Sequence, residues 1–424
     1  MTESKSTLRF NFFSPKKFVD VSGFSAFYFH EYRLFWIAAA LSNIGMWALV
    51  YGRLWLMHSL TDSTLMVGLV NTATLGPVLL FSIWGGAIAD RINRLKLVRI
   101  TRGMFAILAF LTGMLIAIGE VEPWHVVAIS VVTGCLLALD IPSRSAMMPS
   151  LLPKEHLSSG IALYSIVFGG ASIVGPALFA PLVGHWGIEG IFFLIGGSYI
   201  FTVLVLMFMK TSLHQPQPWS SNLAQGVLDG LGYIRKCRQL MCTIILGVCI
   251  GLFGTSYEAL LPAFSENSLQ GGINTYSRLL LFEGIGALIA TLFIALLGVH
   301  LNPTRYMFIG VIGFGVGMLV LSWISLLWLA VALLGLLGAF RVIFGTMSTT
   351  VMQIQSSDEF RGRVMSLHQL TWGAMALGSV MMGALAEWTG VSMTIGLGGV
   401  LVLSCALIVA LWMFQLSPVR ALES

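Results

Sequence analysis

Stretches of about twenty nearly uncharged residues recur along this chain, and no other feature narrows the fold so far. Residues 69–89, LVNTATLGPVLLFSIWGGAIA, form one of them. Wound as a helix at roughly 1.5 Å per residue, such a run crosses the ~30 Å hydrocarbon layer of a bilayer. A membrane β-barrel would instead show shorter segments of alternating polarity. With 57% hydrophobic residues, 10% charged residues and 46 glycines in 424 positions, the chain carries more apolar surface than a soluble fold of this size hides. The expectation is an all-α, polytopic membrane protein.

Twelve spans are read, at about 34–58, 65–88, 97–118, 123–143, 157–184, 188–209, 240–263, 276–299, 305–324, 326–352, 363–386 and 391–415. They divide the chain into an N-terminal tail (1–33), a six-helix bundle (34–209), a linker (210–239), a second six-helix bundle (240–415) and a C-terminal tail (416–424). The linker, KTSLHQPQPWSSNLAQGVLDGLGYIRKCRQ, is broken by proline at its start. It then places Leu223, Val227, Leu231 and Ile234 at amphipathic-helix spacing. The N-terminal tail alternates polar and aromatic residues without the apolar core of a secretory signal, and reads as a tail or a short interfacial helix. The cysteines (Cys135, Cys237, Cys242, Cys249, Cys405) are scattered, show no metal spacing, and read as reduced, packed thiols.

The basic residues orient these spans. Of 23 Lys and Arg, twenty fall in the tails, in the linker, or in and beside the connections after even-numbered spans. The connections after odd-numbered spans hold none; Arg53, Arg278 and Arg341 lie inside spans. Cytoplasmic loops collect Lys and Arg, so both termini and the linker are expected in the cytoplasm. The densest cluster follows span 2, where Asp90, Arg91, Arg94, Lys96, Arg99 and Arg102 crowd together. Anchoring explains the cations. It does not explain Asp90, four residues after Gly86 at the membrane edge, because a partly desolvated carboxylate needs a cationic or helix-end partner.

Gly86-Ala87-Ile88-Ala89-Asp90-Arg91-Ile92-Asn93-Arg94-Leu95-Lys96 resembles the signature loop of the major facilitator superfamily, G-x-x-x-D-R-x-G-R-K in outline. The resemblance implies twelve transmembrane helices in two six-helix bundles, with this loop acting as a cytoplasmic latch that favours the outward-open state. Asn93 stands where the family has glycine, and Asn tolerates a positive φ. LSNIGMWALVYGRLWLMHSLTDSTLMVGLV, LDIPSRSAMMPSLLPKEHLSSGIAL and FRGRVMSLHQLTWGAMALGSVMMGALAEWTG resemble the branch of proton-coupled drug exporters related to macrolide efflux proteins and the enterobactin exporter. That likeness implies a bacterial inner membrane. It also puts Asp140, Arg144, Arg361 and Arg363 at cytoplasmic helix ends, either as partners of the latch or as ordinary helix-terminal charges. Gly175-Pro176 in span 5 resembles the centre of the antiporter motif, although Ala171 and Phe179 replace flanking glycines; a plain structural kink is the alternative.

Ionisable groups at hydrocarbon depth cost several kcal/mol unless paired, hydrated or neutralised, so each marks function by default. Arg53, Glu258, Arg278, Glu283 and Arg341 are such groups. The resemblance places spans 1, 4, 7 and 10 around the central cavity, and so Arg53, Glu258 and Arg341 at or beside the substrate path. A carboxyl there can exchange a proton as its surroundings open and close. One proton moving inward releases about 2.3 kcal/mol per 100 mV and roughly 1.4 kcal/mol per pH unit. Glu283, the deeper, and then Glu258 are the proton-coupling candidates. A static pair with Arg278 or Arg53 is the alternative. The acid that many relatives carry in an S-x-x-G-D pattern is Met46 here, in Ser42-Asn43-Ile44-Gly45-Met46. His368 is read as a polar helix contact.

On span 1, Ser42, Met46, Leu49 and Arg53 share one helical stripe, and Asn43, Trp47 and Tyr51 share the next. Arg53, Arg341, Asn43, Trp47 and Tyr51 are the substrate-cavity candidates; an aromatic lining suits amphipathic molecules, and the arginines favour anionic or catecholate-like oxygens. No HExxH, phosphate loop or nucleophile elbow occurs, so neither an enzyme nor direct use of ATP is expected. The reading is a monomeric carrier that exports small amphipathic molecules in exchange for protons. Its expected partners are substrate, protons and membrane lipids, with no cofactor, metal or nucleic acid. An uncoupled facilitator or uptake carrier is the alternative.

Overall fold

The computed structural model describes residues 24–89, 92–210, 223–297, 301–357 and 360–414. Among them no strand occurs. The spans are 1 (His30–Leu60), 2 (Thr64–Ala89), 3 (Arg94–Ala117), 4 (Pro123–Leu151), 8 (Ile273–Leu297), 9 (Pro303–Leu321), 10 (Leu327–Gln355), 11 (Arg361–Thr389) and 12 (Val391–Phe414). Spans 5 and 6 form one helical run, Leu157–Met207, broken at Gly187, whose φ of 71° suits glycine alone. Span 7 is composite: Arg238–Cys249 is α-helical, Ile250–Gly254 is a π turn, Thr255–Leu260 is 3₁₀, and Leu261–Asn267 is α-helical again. A linker helix, Leu223–Lys236, precedes it.

Local sequence starts several of these helices. The Asn93 side chain caps span 3 by accepting from the Lys96 N–H at 3.1 Å. Its φ is −56°, which corrects the expectation of a left-handed turn: asparagine serves here as a cap. Asn302 caps span 9 in the same way and is followed by Pro303 at the first helical position.

Among the described residues, ten helices are long and apolar enough to cross a membrane. Span 5 contributes a shorter apolar helix, Ser159–Gly175, and span 11 is a more polar helix of comparable length. Span 11 tolerates more polarity because it is packed against spans 2 and 7. Large apolar side chains such as Ile107, Leu296, Leu407 and Ile408 face outward, as a lipid-facing surface requires. Five exposed tryptophans, Trp124, Trp186, Trp323, Trp328 and Trp388, lie at span ends joined by the loops after odd-numbered spans, forming an interfacial belt on that face, while Trp84 and Trp412 are exposed toward the opposite face.

The two halves repeat one packing scheme six spans apart. Span 1 packs on span 5 and span 7 on span 11; span 2 packs on span 4 and span 8 on span 10; span 3 packs on span 6 and span 9 on span 12. Across the interface, span 2 meets span 11 and span 5 meets span 8. A Cβ at Gly68 would strike the Ser379 backbone, so glycine lets spans 2 and 11 touch.

The halves are closed at one face. Toward the odd-numbered loops a single buried apolar cluster, including Leu54, Trp55, Tyr276 and Leu279, runs through both. Polar contacts seal it. Nε2 of His58 lies 2.6 Å from Oε2 of Glu266, Ser63 donates to Glu387, and Thr64 Oγ1 donates to Gly383 O at 2.8 Å. Deeper, Asn71 Nδ2 donates to Ser379 Oγ at 2.8 Å. Toward the linker face each half keeps its own apolar cluster, around Phe35 and Met147 in the first and Val311 and Val402 in the second. Among the described residues, span 4 makes no extensive contact with span 10 or 11 there.

Candidate functional site: one arginine between two buried carboxylates

Span 7 cannot stay a regular helix. Pro262 has no N–H to offer the Glu258 carbonyl and its ring crowds it. The Leu261 N–H takes that carbonyl instead, closing a 3₁₀ turn. The π turn before it adds a residue to the helical register and swings the succeeding residues to another face. Glu258 therefore leaves the axis of span 7 and reaches the interior, 4% exposed.

Glycine brings spans 8 and 10 together at the same depth. The backbones of Gly286 and Gly335 touch, and a Cβ at Gly338 would overlap the Glu283 carbonyl. Arg341, one turn past Gly338, can then reach across to Glu283.

The result is a three-residue charge cluster. Arg341 Nη1 donates to Glu258 Oε1, and Arg341 Nη2 lies 3.2 Å from Glu283 Oε1. The second contact is an ion pair without an aligned hydrogen bond, since Glu283 Oε1 lacks a hydrogen-bond partner. Both carboxylates are sealed, while 26% of the Arg341 side chain is exposed. The cluster therefore opens through its cation.

Three tyrosines wall it. Tyr51, Tyr257 and Tyr276 lie within electrostatic reach of both carboxylates. Tyr51 comes from the first half and Tyr276 from the second, and the Tyr276 hydroxyl donates to the Tyr51 carbonyl at 3.4 Å. Trp47 stacks on Tyr51 at 5.6 Å and meets Phe168 of span 5 edge-on at 5.9 Å; its Nε1 is buried without a partner. Trp55 stacks on Tyr276 at 5.4 Å.

The remaining sequence candidates lie elsewhere. Asn43 accepts from Arg144 Nη1 at 3.3 Å, toward the linker face. There Asp140, fully buried, takes Arg102 Nη2 and the Thr101 hydroxyl, each at 2.8 Å, with Arg144 Nε at 3.7 Å. Arg53 faces a cavity lined by spans 1, 2, 3, 4 and 6 of the first half. Arg278 is exposed and belongs to no ion pair with either glutamate. Arg94 donates to the Ala146 carbonyl at 3.0 Å, and Lys96 is exposed. Arg363 pairs with Asp229 of the linker helix at 3.7 Å. Arg361 opens span 11 and Gly86 lies in the last turns of span 2; Asp90 and Arg91 fall outside the described residues. Helical dihedrals continue through Gly175 and Pro176. A Cβ at Gly175 would sit 3.1 Å from Trp47 Cβ, so the glycine admits span 1.

Sequence reasoning did not single out Arg102, Thr101, Tyr257 or Tyr276. Arg102 carried a signal. It lies inside the apolar part of span 3, at the same distance from the linker face as Asp140 in antiparallel span 4.

The profile of the family described as transmembrane secretion effector matches residues 21–424. The chain belongs to this family. Transmembrane secretion effectors are transporters of the major facilitator superfamily, not enzymes. The chain is 24% identical over 375 residues to the staphyloferrin A transporter of Staphylococcus aureus, covering 87% of this chain and 92% of that one. It is 24% identical over 343 residues to the enterobactin exporter EntS of Salmonella paratyphi A, covering 78% and 79%. Its fold superposes on a POT family transporter crystallised with 5-aminolevulinic acid at a TM-score of 0.73 and 12% identity, over 91% of this chain and 96% of that one. It is thus a multi-pass secondary transporter with bacterial relatives.

Proposed function

We propose that this transporter exports small amphipathic molecules of the drug or siderophore class across the bacterial inner membrane in exchange for protons. Glu258 and Glu283 carry the proton. Both termini and the linker lie in the cytoplasm, in line with the positive-inside bias. On that orientation the closed face is periplasmic and the conformation is inward-facing.

The observation that carries this reading is the sharing of Arg341 by Glu258 and Glu283. Two acids facing one base balance when a single carboxyl holds a proton, so the cluster has one exchangeable proton at membrane depth. Exchange further requires proton and substrate to exclude one another. A substrate with hydroxyl or ammonium donors does so by displacing the Arg341 side chain, the exposed member of the cluster, and occupying a carboxylate that has released its proton. Trp47 and Tyr51 then hold its apolar body. Because Tyr51 and Tyr276 join the two halves beside the cluster, a change of charge there acts on the contact that must break when the carrier turns outward. The staphyloferrin A and enterobactin carriers are consistent with this substrate class.

The test is transport in proteoliposomes of a panel holding a cationic dye, a neutral macrolide and a catecholate chelator, with and without an imposed pH gradient. Uphill movement of at least one member is expected only when the gradient is present. Flux indifferent to the gradient for every transported member contradicts proton exchange and leaves an uncoupled facilitator.

A further inference from the structure

Arg53 takes no part in the Arg341 cluster, yet it is one of the most deeply buried cations in the chain. It is 2% exposed, and its Nε and Nη2 have no acceptor. It faces a cavity built from spans 1, 2, 3, 4 and 6, whose lining includes Asn71, Thr74, Phe105, Thr133 and Tyr199. No carboxylate lines that cavity. Among the described residues the nearby acid Asp140 is already taken by Arg102 and Arg144. A guanidinium keeps its proton under ordinary conditions, and a lone charge at membrane depth persists only where something neutralises it.

The lining limits what that can be. Thr74 and Thr133 donate their hydroxyls to the carbonyls of Val70 at 3.0 Å and Ile129 at 2.8 Å. Asn71 donates its amide across the interface to Ser379. Arg53 therefore contributes the unengaged N–H groups, set for an acceptor of negative charge. About 20 Å³ of the cavity is open to the centre of a water-sized body, room for a single atom somewhat larger than water. So small a space favours a single-atom anion over sulfate, phosphate or an organic carboxylate, and Arg53 repels cations.

We propose that Arg53 and this cavity bind a single-atom monovalent anion of the halide class, which neutralises the guanidinium inside the first six spans. Asn71 lines the site and also bridges to span 11. Anion occupancy and closure of the two halves at this level therefore favour one another.

Thermal unfolding of the purified full chain in detergent tests this, in chloride, bromide, gluconate and sulfate at equal ionic strength. Chloride and bromide should each raise Tm by about 2 °C over gluconate, with saturation, as a ligand of the folded state does. Sulfate should match gluconate. Arg53→Gln should abolish the halide effect, and so should Thr133→Leu, which fills the cavity while keeping the arginine, so the test stands even if Arg53→Gln does not fold. Equal Tm values in all four salts, the result expected if only water occupies the cavity, overturn the proposal. A halide effect that survives in Thr133→Leu overturns it equally.

Discussion

Arg341 Nη2 and Glu283 Oε1, from spans 10 and 8, approach to 3.2 Å, while the same guanidinium donates to Glu258 of span 7. Removing the cation strands two sealed carboxylates. Arg341→Met should therefore cost about 3–5 kcal/mol of folded-state stability. The triple variant Arg341→Met/Glu258→Gln/Glu283→Gln, which buries no charge, should recover most of that loss. Denaturation in detergent of the single and triple variants checks it. Equal destabilisation of both would mean that charge is not the cause.

Gly338 sets the distance between spans 8 and 10. Gly338→Leu overlaps the Glu283 backbone, and overpacking of this kind costs roughly 1–3 kcal/mol. Displacing Glu283 from Arg341 should also remove gradient-driven transport. Flux measured per folded molecule separates the two effects. Wild-type flux in Gly338→Leu would show that the approach of the two spans is incidental.

Ser63 and Glu387 join spans 2 and 11 on the closed face. Cysteines at both positions should be bridged by a short cleavable bifunctional thiol reagent in this conformation, stop transport, and release it on cleavage. A crosslinked pair that still transports would show that this face need not open.

Asp140 balances Arg102 and Arg144 near the linker face. Asp140→Asn keeps an acceptor for Thr101 but leaves both arginines without a counter-charge, an expected loss of about 3–5 kcal/mol. In the double variant Asp140→Asn/Arg102→Met the losses should be less than additive. Strict additivity in thermal denaturation would mean that the two do not interact.

Much of this was legible in the sequence, and the rest was hidden for identifiable reasons. The length of the apolar runs dictated the spans, and Glu258, Glu283 and Arg341 stood out because charge at membrane depth has no cheap solvent. Their convergence was not legible. It depends on the π and 3₁₀ turns that rotate Glu258 within span 7, and on the glycine contacts that close spans 8 and 10. On span 1 the periodicity separated the stripes but not their destinations. Met46, Leu49 and Arg53 line the cavity of the first half, Trp47 and Tyr51 lie toward the cluster, and Asn43 turns to Arg144. Asn93 looked like a tolerated substitute for glycine and proved to be a helix cap.

The most direct measurement compares wild type with Glu258→Gln/Glu283→Gln in proteoliposomes, using the panel compound that wild type moves fastest. Uphill movement under an imposed pH gradient and downhill exchange without one are recorded for both. Proton exchange through these carboxylates predicts that the double variant loses uphill movement and keeps downhill exchange, because the partly exposed Arg341 side chain can be hydrated without its partners, so that the fold and the substrate path survive while the exchangeable proton is gone. Uphill movement at the wild-type level in the double variant would contradict it.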